Sequence, residues 1–360
     1  MHGAATAAIL MSFIAANNLG ALQQTVIKET CGEPFRIDAQ LELSIGGSDD
    51  PGRVAETEYF ATNSEGQVVI HNQNIGHVFS SGGAFLRAFG RAGDGPGEYR
   101  SVRGLYVGPG DTTYILDQRT ARMTVLSPDF DVIETRHLGL RPWMGVRLPS
   151  GSWILNGNAA TEERIGWPLH LLARDGSIIR SFGATTPVYR ADIVFAGLRE
   201  LAAAGEDRVW AAFKNEYRVE LWDTANRPLR SLVRDVPWFR PWYRSEAFAP
   251  DAPFKPIVRH IHVDRAGVLW VIVVVAKSNW SDFLTESRPG VYMVEEPFHR
   301  ALQVVVEAVD TERACVLAAL RPGAYLIDAL SDDRFMAYHE TLDGVPYLQV
   351  WRLRLIRSSQ

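Results

Sequence analysis

One pattern restricts the fold more than any other: a unit of four short β-strand signals, joined by turns, that recurs six times along the chain. The second strand of each unit is the clearest. These strands read Gln67–His71, Thr113–Leu116, Trp153–Asn156, Arg208–Phe213, Val268–Val275 and Arg334–His339. Each is rich in β-branched or aromatic residues and follows a turn signal such as Asn63-Ser-Glu-Gly66, Gly108-Pro-Gly-Asp111 or Asp264-Arg-Ala-Gly267. Gly, Asn and Asp supply the backbone conformations that tight hairpins need. With strands lettered A to D from ring centre to rim, C strands follow each B strand, and D strands close all units but the last.

The last unit stops at its C strand, Tyr347–Leu355, and a spare strand of suitable length lies at the other end, Phe35–Ile45. That spare strand alternates Leu41, Leu43 and Ile45 with Gln40, Glu42 and Ser44, as a half-buried outer strand would. Pairing the first strand with the last removes the open sheet edges. The expectation is an all-β, six-bladed β-propeller of four-stranded antiparallel blades, closed by the N-terminal strand. It occupies residues 35–360, behind a linker at 25–34 and a signal peptide at 1–24.

The first D strand runs into Phe89-Gly-Arg-Ala-Gly-Asp-Gly-Pro-Gly-Glu-Tyr99. This segment, with Tyr114-Ile-Leu-Asp117, Val125-Leu-Ser-Pro-Asp129 and Asp343–Leu353, resembles the blade text of bacterial NHL-like six-bladed propellers. The resemblance covers roughly residues 35 to 355; units 4 and 5 depart from it and carry insertions. It implies a fold and an export route, and it implies no reaction.

Composition agrees with a large core: 46% of residues are hydrophobic and 22% charged, which argues against disorder. The net charge is −5, and no Lys/Arg block offers a phosphate-binding surface, so nucleic acid is excluded as the expected partner. The apolar, uncharged run Ala4–Ala16, followed by small residues at Gly20 and Ala21, reads as a secretory signal cleaved between Ala16 and Gln24. It lacks the Lys or Arg usual at its start. No later stretch is long enough for a membrane helix. The expected product is a secreted or periplasmic monomer. Cys31 and Cys315 fall at the rim of neighbouring blades on the same face. An oxidising compartment favours a bridge between them, while the separation of adjacent rim strands opposes one. Both outcomes stay open at this point.

Loop lengths point to one face. Every A–B and C–D turn is short, and the long insertions Gly157–Pro168, Gly183–Gly197, Asp235–Pro256 and Lys277–Arg300 all lie in B–C or D–A connections. Long ordered loops usually serve function, so the working surface is expected on that side, over the channel. Polar groups at B-strand ends there are Asn72, Asp117, Asn158, Lys214, Lys277 and His339; the first four are the candidate ligand-binding set. The insertion Val236–Phe254 adds Trp238, Arg240, Trp242 and Arg244, and the next adds Trp280. Aromatics interleaved with Arg suit recognition, and they equally suit a lid packed on itself. Arg91, Glu98 and Arg103 flank the Gly-rich loop and are read as its anchors.

Little chemistry is legible. Gly93–Gly97 is followed by neither Lys-Ser/Thr nor a helix that could hold a phosphate. His260 and His262, two apart on an A strand, could ligate a divalent cation only with help from another blade. No catalytic residue, resident metal or cofactor is expected. Two function classes follow: a module binding a protein, peptide or glycan, or a lyase or hydrolase working with channel-mouth residues, with or without a divalent cation.

Overall fold

The computed structural model describes residues 23–47, 54, 59–72, 74–159, 161–184, 197–243, 250–289, 291–295 and 297–358. Six antiparallel blades follow one another around a ring, each ordered A-B-C-D from centre to rim. The A strands are Tyr59–Thr62, Val102–Val107, Leu140–Arg147, Arg199–Ala203, Ile257–Val263 and Tyr325–Ala329. The B strands are Val68–Asn72, Thr113–Asp117, Trp153–Ala159, Arg208–Phe213, Leu269–Ala276 and Arg334–Glu340. Among the described residues no helix is long and apolar enough to cross a membrane.

The apolar B strands have a direct physical cause. Successive side chains of a strand point to opposite faces, and here both faces of each blade are covered by a neighbour. Along Leu269–Ala276, Leu269, Val271, Val273 and Val275 pack toward blade 4, while Trp270, Ile272 and Val274 pack toward blade 6. Val69 likewise faces blade 2, and Val68 and Ile70 face blade 6. The buried core is therefore divided into six clusters, one at each boundary between blades. Each buried Val, Ile or Leu contributes roughly 1.5–3 kcal/mol, so these boundaries supply most of the drive to close the ring.

Closure takes the expected form. Phe35–Gly46 pairs antiparallel with Pro346–Arg357 along its whole length, from Phe35 opposite Arg357 to Gly46 opposite Tyr347. Blade 6 thus takes its outer strand from the N-terminal part of the chain. Ile45 is fully buried at the boundary with blade 1, so this strand also seals the last gap. Glu42 ties the seam by ion pairs to Arg334 and Arg352, at 2.7 and 2.6 Å.

The segment read as a linker is instead built into the rim. Gln24–Val26 forms a parallel fifth strand on blade 4, against Pro228–Val233. The chain then crosses to blade 5, where Lys28 NH donates to the Ala314 carbonyl and Cys31 NH to the Val316 carbonyl. Cys31 and Cys315 are joined in a disulfide with their Cα atoms 5.1 Å apart, so the bridge forms despite the spacing of rim strands. A parallel crossing segment brings the two cysteines close, which two neighbouring blade edges alone would not. Residues 24–46 thus bond to blades 4, 5 and 6 in turn, and Ile45 at their end packs on blade 1. Of the stretch 1–24 read as a signal peptide, residues 1–22 lie outside the described residues.

Candidate functional site

The A strands are innermost, so the side chains they turn inward line the central channel. All six contribute. Near the loop-rich end they and adjoining loops wall a cavity of about 220 Å³. Its polar lining includes Tyr59, Arg103, Arg199, Glu200, Arg259 and His260 from blades 1, 2, 4 and 5, with Asp328 from blade 6. Asn156 reaches it from the middle of its B strand and Lys214 from just past the end of its own, and Trp143, Met144, Leu198 and Ile327 give it apolar wall. A second cavity of about 360 Å³, sharing Tyr59, Arg103, Met144, His260 and Asp328, continues toward the short-turn face between the rest of the A strands.

The charges are paired, one pair within blade 4 and one between blades 5 and 6. Lys214 forms an ion pair with Glu200, whose carboxylate is almost wholly buried. His260 Nδ1 lies 2.9 Å from Asp328 Oδ1. Burial opposes protonation of His260, but the charge of Asp328, its hydrogen bond and the more distant Glu200 together outweigh it, and the pKa is raised. Arg103 lies over the Trp143 ring at 5.6 Å. Arg199 stacks on Phe213 at 3.3 Å from the ring centroid and donates to the Leu198 carbonyl. Burial lowers its pKa to about 9. Asn156 is a positioning group: its amide donates to the Pro168 and Gly197 carbonyls at 2.7 Å, and its oxygen accepts from Arg199 NH.

Of the residues singled out from sequence, Lys214 lines this cavity. Arg103 lines it too, lying over the Trp143 ring. The Gly-rich loop is tied from within and from below. Arg91 and Glu98 are ion-paired at 2.7 Å, Glu98 accepts from Gly95 NH, and Arg122 donates from beneath to the Asp94 and Glu98 carbonyls. Gly93 is required there, since a Cβ would meet the Glu98 carboxylate at 2.0 Å. Asp117 is buried with its carboxylate already engaged: it accepts from the backbone NH groups of Arg100, Ser101, Arg119 and Thr120. Asn158 is exposed and does not join the lining, a place taken by Asn156 two residues earlier. The Asn72 side chain and Arg244 lie outside the described residues.

The aromatic insertion is largely fixed to the ring. Trp238 packs against the core between blades 4 and 5, with Arg321 over its ring at 5.9 Å. Trp242 Nε1 donates to the Pro256 carbonyl at 2.8 Å, and its backbone is bonded in both directions to Asn215. Trp280 meets Phe254 edge-on at the fringe of the blade 5–6 core. Arg240 is exposed. Lys277 donates to the His299 carbonyl, and His339 stacks on Tyr347.

Sequence reading missed Tyr59, Trp143, Arg199, Glu200, Arg259 and Asp328. A usable signal was present, since charged residues inside otherwise apolar A strands, such as Arg259 and Asp328, have few places to go but the channel. Among the described residues, the one grouping of His, Cys, Asp and Glu with ligand atoms close enough to share a cation is Cys31, Asp310 and Cys315. Its sulfurs are joined to each other in the disulfide. His262 Nε2 donates to the Asp332 carbonyl at 3.2 Å.

No family model matches the sequence, and no curated protein matches it. Solved structures do match. One from Bacteroides fragilis, whose name marks it as an exported protein, shares 12% identity over 92% of this chain and 100% of its own, with a TM-score of 0.60. A member of the DUF4221 family from Bacteroides vulgatus shares 10% identity over 90% of this chain and 99% of its own, also at 0.60. A virginiamycin B lyase from Staphylococcus aureus shares 10% identity over 89% of this chain, at 0.48. At such identities the likeness is one of fold.

Proposed function

We propose that this chain is an exported binding propeller whose ligand site is the channel mouth on the loop-rich face. The observation that carries this reading is the convergence of side chains from all six A strands, polar and apolar together, on one cavity. A concave, mixed lining with a few placed polar groups is what small-molecule sites share. The size suits a small molecule or the terminal group of a peptide or glycan better than a folded partner. Export is supported by the N-terminal apolar run and by the disulfide, which persists in oxidising compartments.

Trp143 in the wall provides the test. Its fluorescence is followed while aromatic probes of negative, neutral and positive charge are titrated in. A saturable change with at least one probe, abolished in Trp143→Phe, is expected. No saturable response to any probe sinks the reading.

A second reading rests on the His260–Asp328 pair. A carboxylate-oriented imidazole at a cavity wall can take up or deliver a proton, so an enzyme is the alternative. It requires a bound substrate whose turnover fails in His260→Gln while its binding persists.

A further inference from the structure

We propose that the outer cleft between blades 4 and 5 is a second site, separate from the channel, that takes an extended peptide as an added strand along Cys315–Leu320. This edge already binds a strand-like segment of the chain itself. Lys28 bridges to Cys315 in parallel register. Lys28 NH donates to the Ala314 carbonyl, Val316 NH to the Lys28 carbonyl, and Cys31 NH to the Val316 carbonyl. One residue earlier, Ile27 is inserted into the core between the two blades. The segment then leaves, and pairs with blade 6 from Phe35 onward. Cys315–Leu320 is the outer edge of its sheet, and among the described residues no backbone group pairs with that edge beyond Val316. The N–H and C=O groups of such an edge are a template for another chain.

The sequence of this strand leaves the edge unguarded. Outer strands of the other five blades carry charges, which discourage stray pairing: Arg87, Glu134, Arg180, Arg230 and, on Phe35–Gly46, Glu42. Cys315–Leu320 carries none. Beside it lies a cleft of about 450 Å³, lined by residues 316–321, by Trp238 and by Glu29 and Thr30 of the bound segment. The cleft reaches inward to Val305 and Glu307 on the third strand of blade 5, Leu302–Asp310. Glu307 is buried there and already satisfied by Arg234 and by the Tyr217 hydroxyl, at 3.1 and 2.7 Å. An uncharged, apolar side chain therefore suits the floor, as Ile27 suits the neighbouring stretch. A cleft that passes inside the outer strand admits a single extended chain and not the rim of a second folded copy.

The experiment is isothermal titration of the full folded chain with four capped, uncharged hexapeptides, Thr-Gln-X-Thr-X-Gln, in which X is Val, Ile, Phe or Tyr. At least one is expected to bind saturably. Methylating its alternate amide nitrogens, which removes donors to the ladder, should weaken it by about tenfold or more. Ala319→Lys, at an exposed position of the cleft wall, should also weaken it by about tenfold or more. Leu86→Lys, exposed on the rim of blade 1, should leave it unchanged. The methylated peptide is tested on the unaltered protein, so that comparison stands even if a variant folds poorly. Failure of all four peptides to bind overturns the proposal, and so does binding indifferent to amide methylation or to Ala319→Lys. Self-association in sedimentation that Ala319→Lys abolishes would make a second copy the occupant and overturn the peptide assignment.

Discussion

Replacing Cys31 and Cys315 by Ser should leave the native ring in place and lower its stability substantially. The bridge joins residues 284 apart in sequence. In the chain-entropy description, a loop of that length removes about 19 cal/mol/K from the unfolded ensemble, or about 5.6 kcal/mol at 25 °C. This is an upper figure, because residual structure in the unfolded chain reduces it. The folded state should tolerate the loss. Lys28 and Cys31 remain hydrogen-bonded through their backbones to Ala314 and Val316. Arg313 still donates to the Cys31 carbonyl at 2.7 Å and pairs with Glu33 at 2.8 Å. The assay is urea unfolding of the oxidised protein and of Cys31→Ser/Cys315→Ser, followed by tryptophan fluorescence. With a urea slope of roughly 3 kcal/mol/M for a domain of this size, the midpoint should fall by about 1.5–2 M. Near-ultraviolet circular dichroism should be unchanged before the transition. Coincident unfolding curves would refute the reasoning, because the clasp would then impose no constraint on the unfolded chain.

Acid should destabilise the protein through two buried histidines. Burial lowers His71 to about 3 and His170 to about 4, against 6.5 for the exposed side chain, so the unfolded state binds protons that the folded state refuses. Their contribution is present above pH 6.5 and is lost on acidification toward those lower values, at about 2.7 kcal/mol per pH unit while both act; His71→Phe should roughly halve that slope in urea titrations between pH 6 and 4, and an unchanged slope would count against it. Asp117→Ala should cost about 1–3 kcal/mol in thermal or urea melts, since four backbone donors lose a shared buried acceptor, and probe binding should survive. Trp242→Ala should cost about 2–4 kcal/mol, because the indole is hydrogen-bonded and half-buried against Pro256; a melt unchanged from the parent would return this loop to the list of recognition surfaces.

The blades were readable because their physical cause is local. An apolar B strand between two turn signals, such as Leu269–Ala276, needs no distant information to be recognised. The closing strand was readable because Leu41, Leu43 and Ile45 alternate with polar residues and the last unit lacked a partner. The site was harder, because depth within the ring decides it. Asp117 and Asp328 both lie near the ends of strands, yet one carboxylate is filled by backbone amides and the other faces a histidine on the neighbouring blade. Asn156 and Asn158 differ by two positions in one strand, and only the first is buried in the cavity wall while the second is exposed. The rim clasp was unreadable for another reason. Gln24–Val26 is too short to announce itself as a strand, and its partner lies about 200 residues away in sequence, so only a closed ring brings them together.

The most direct test of the binding account uses the methionine methyl groups as reporters of position. Met144 lines the channel cavity, Met123 and Met336 are buried in the blade cores, and Met293 is exposed on the insertion of blade 5. Carbon-13 methyl spectra of the protein would be recorded as the aromatic probe that gives the saturable fluorescence change is added. The account predicts that the Met144 resonance moves progressively and saturably while Met123, Met336 and Met293 hold their positions. Movement of Met293 without Met144 would put the ligand on the outer loops and contradict the channel-mouth site.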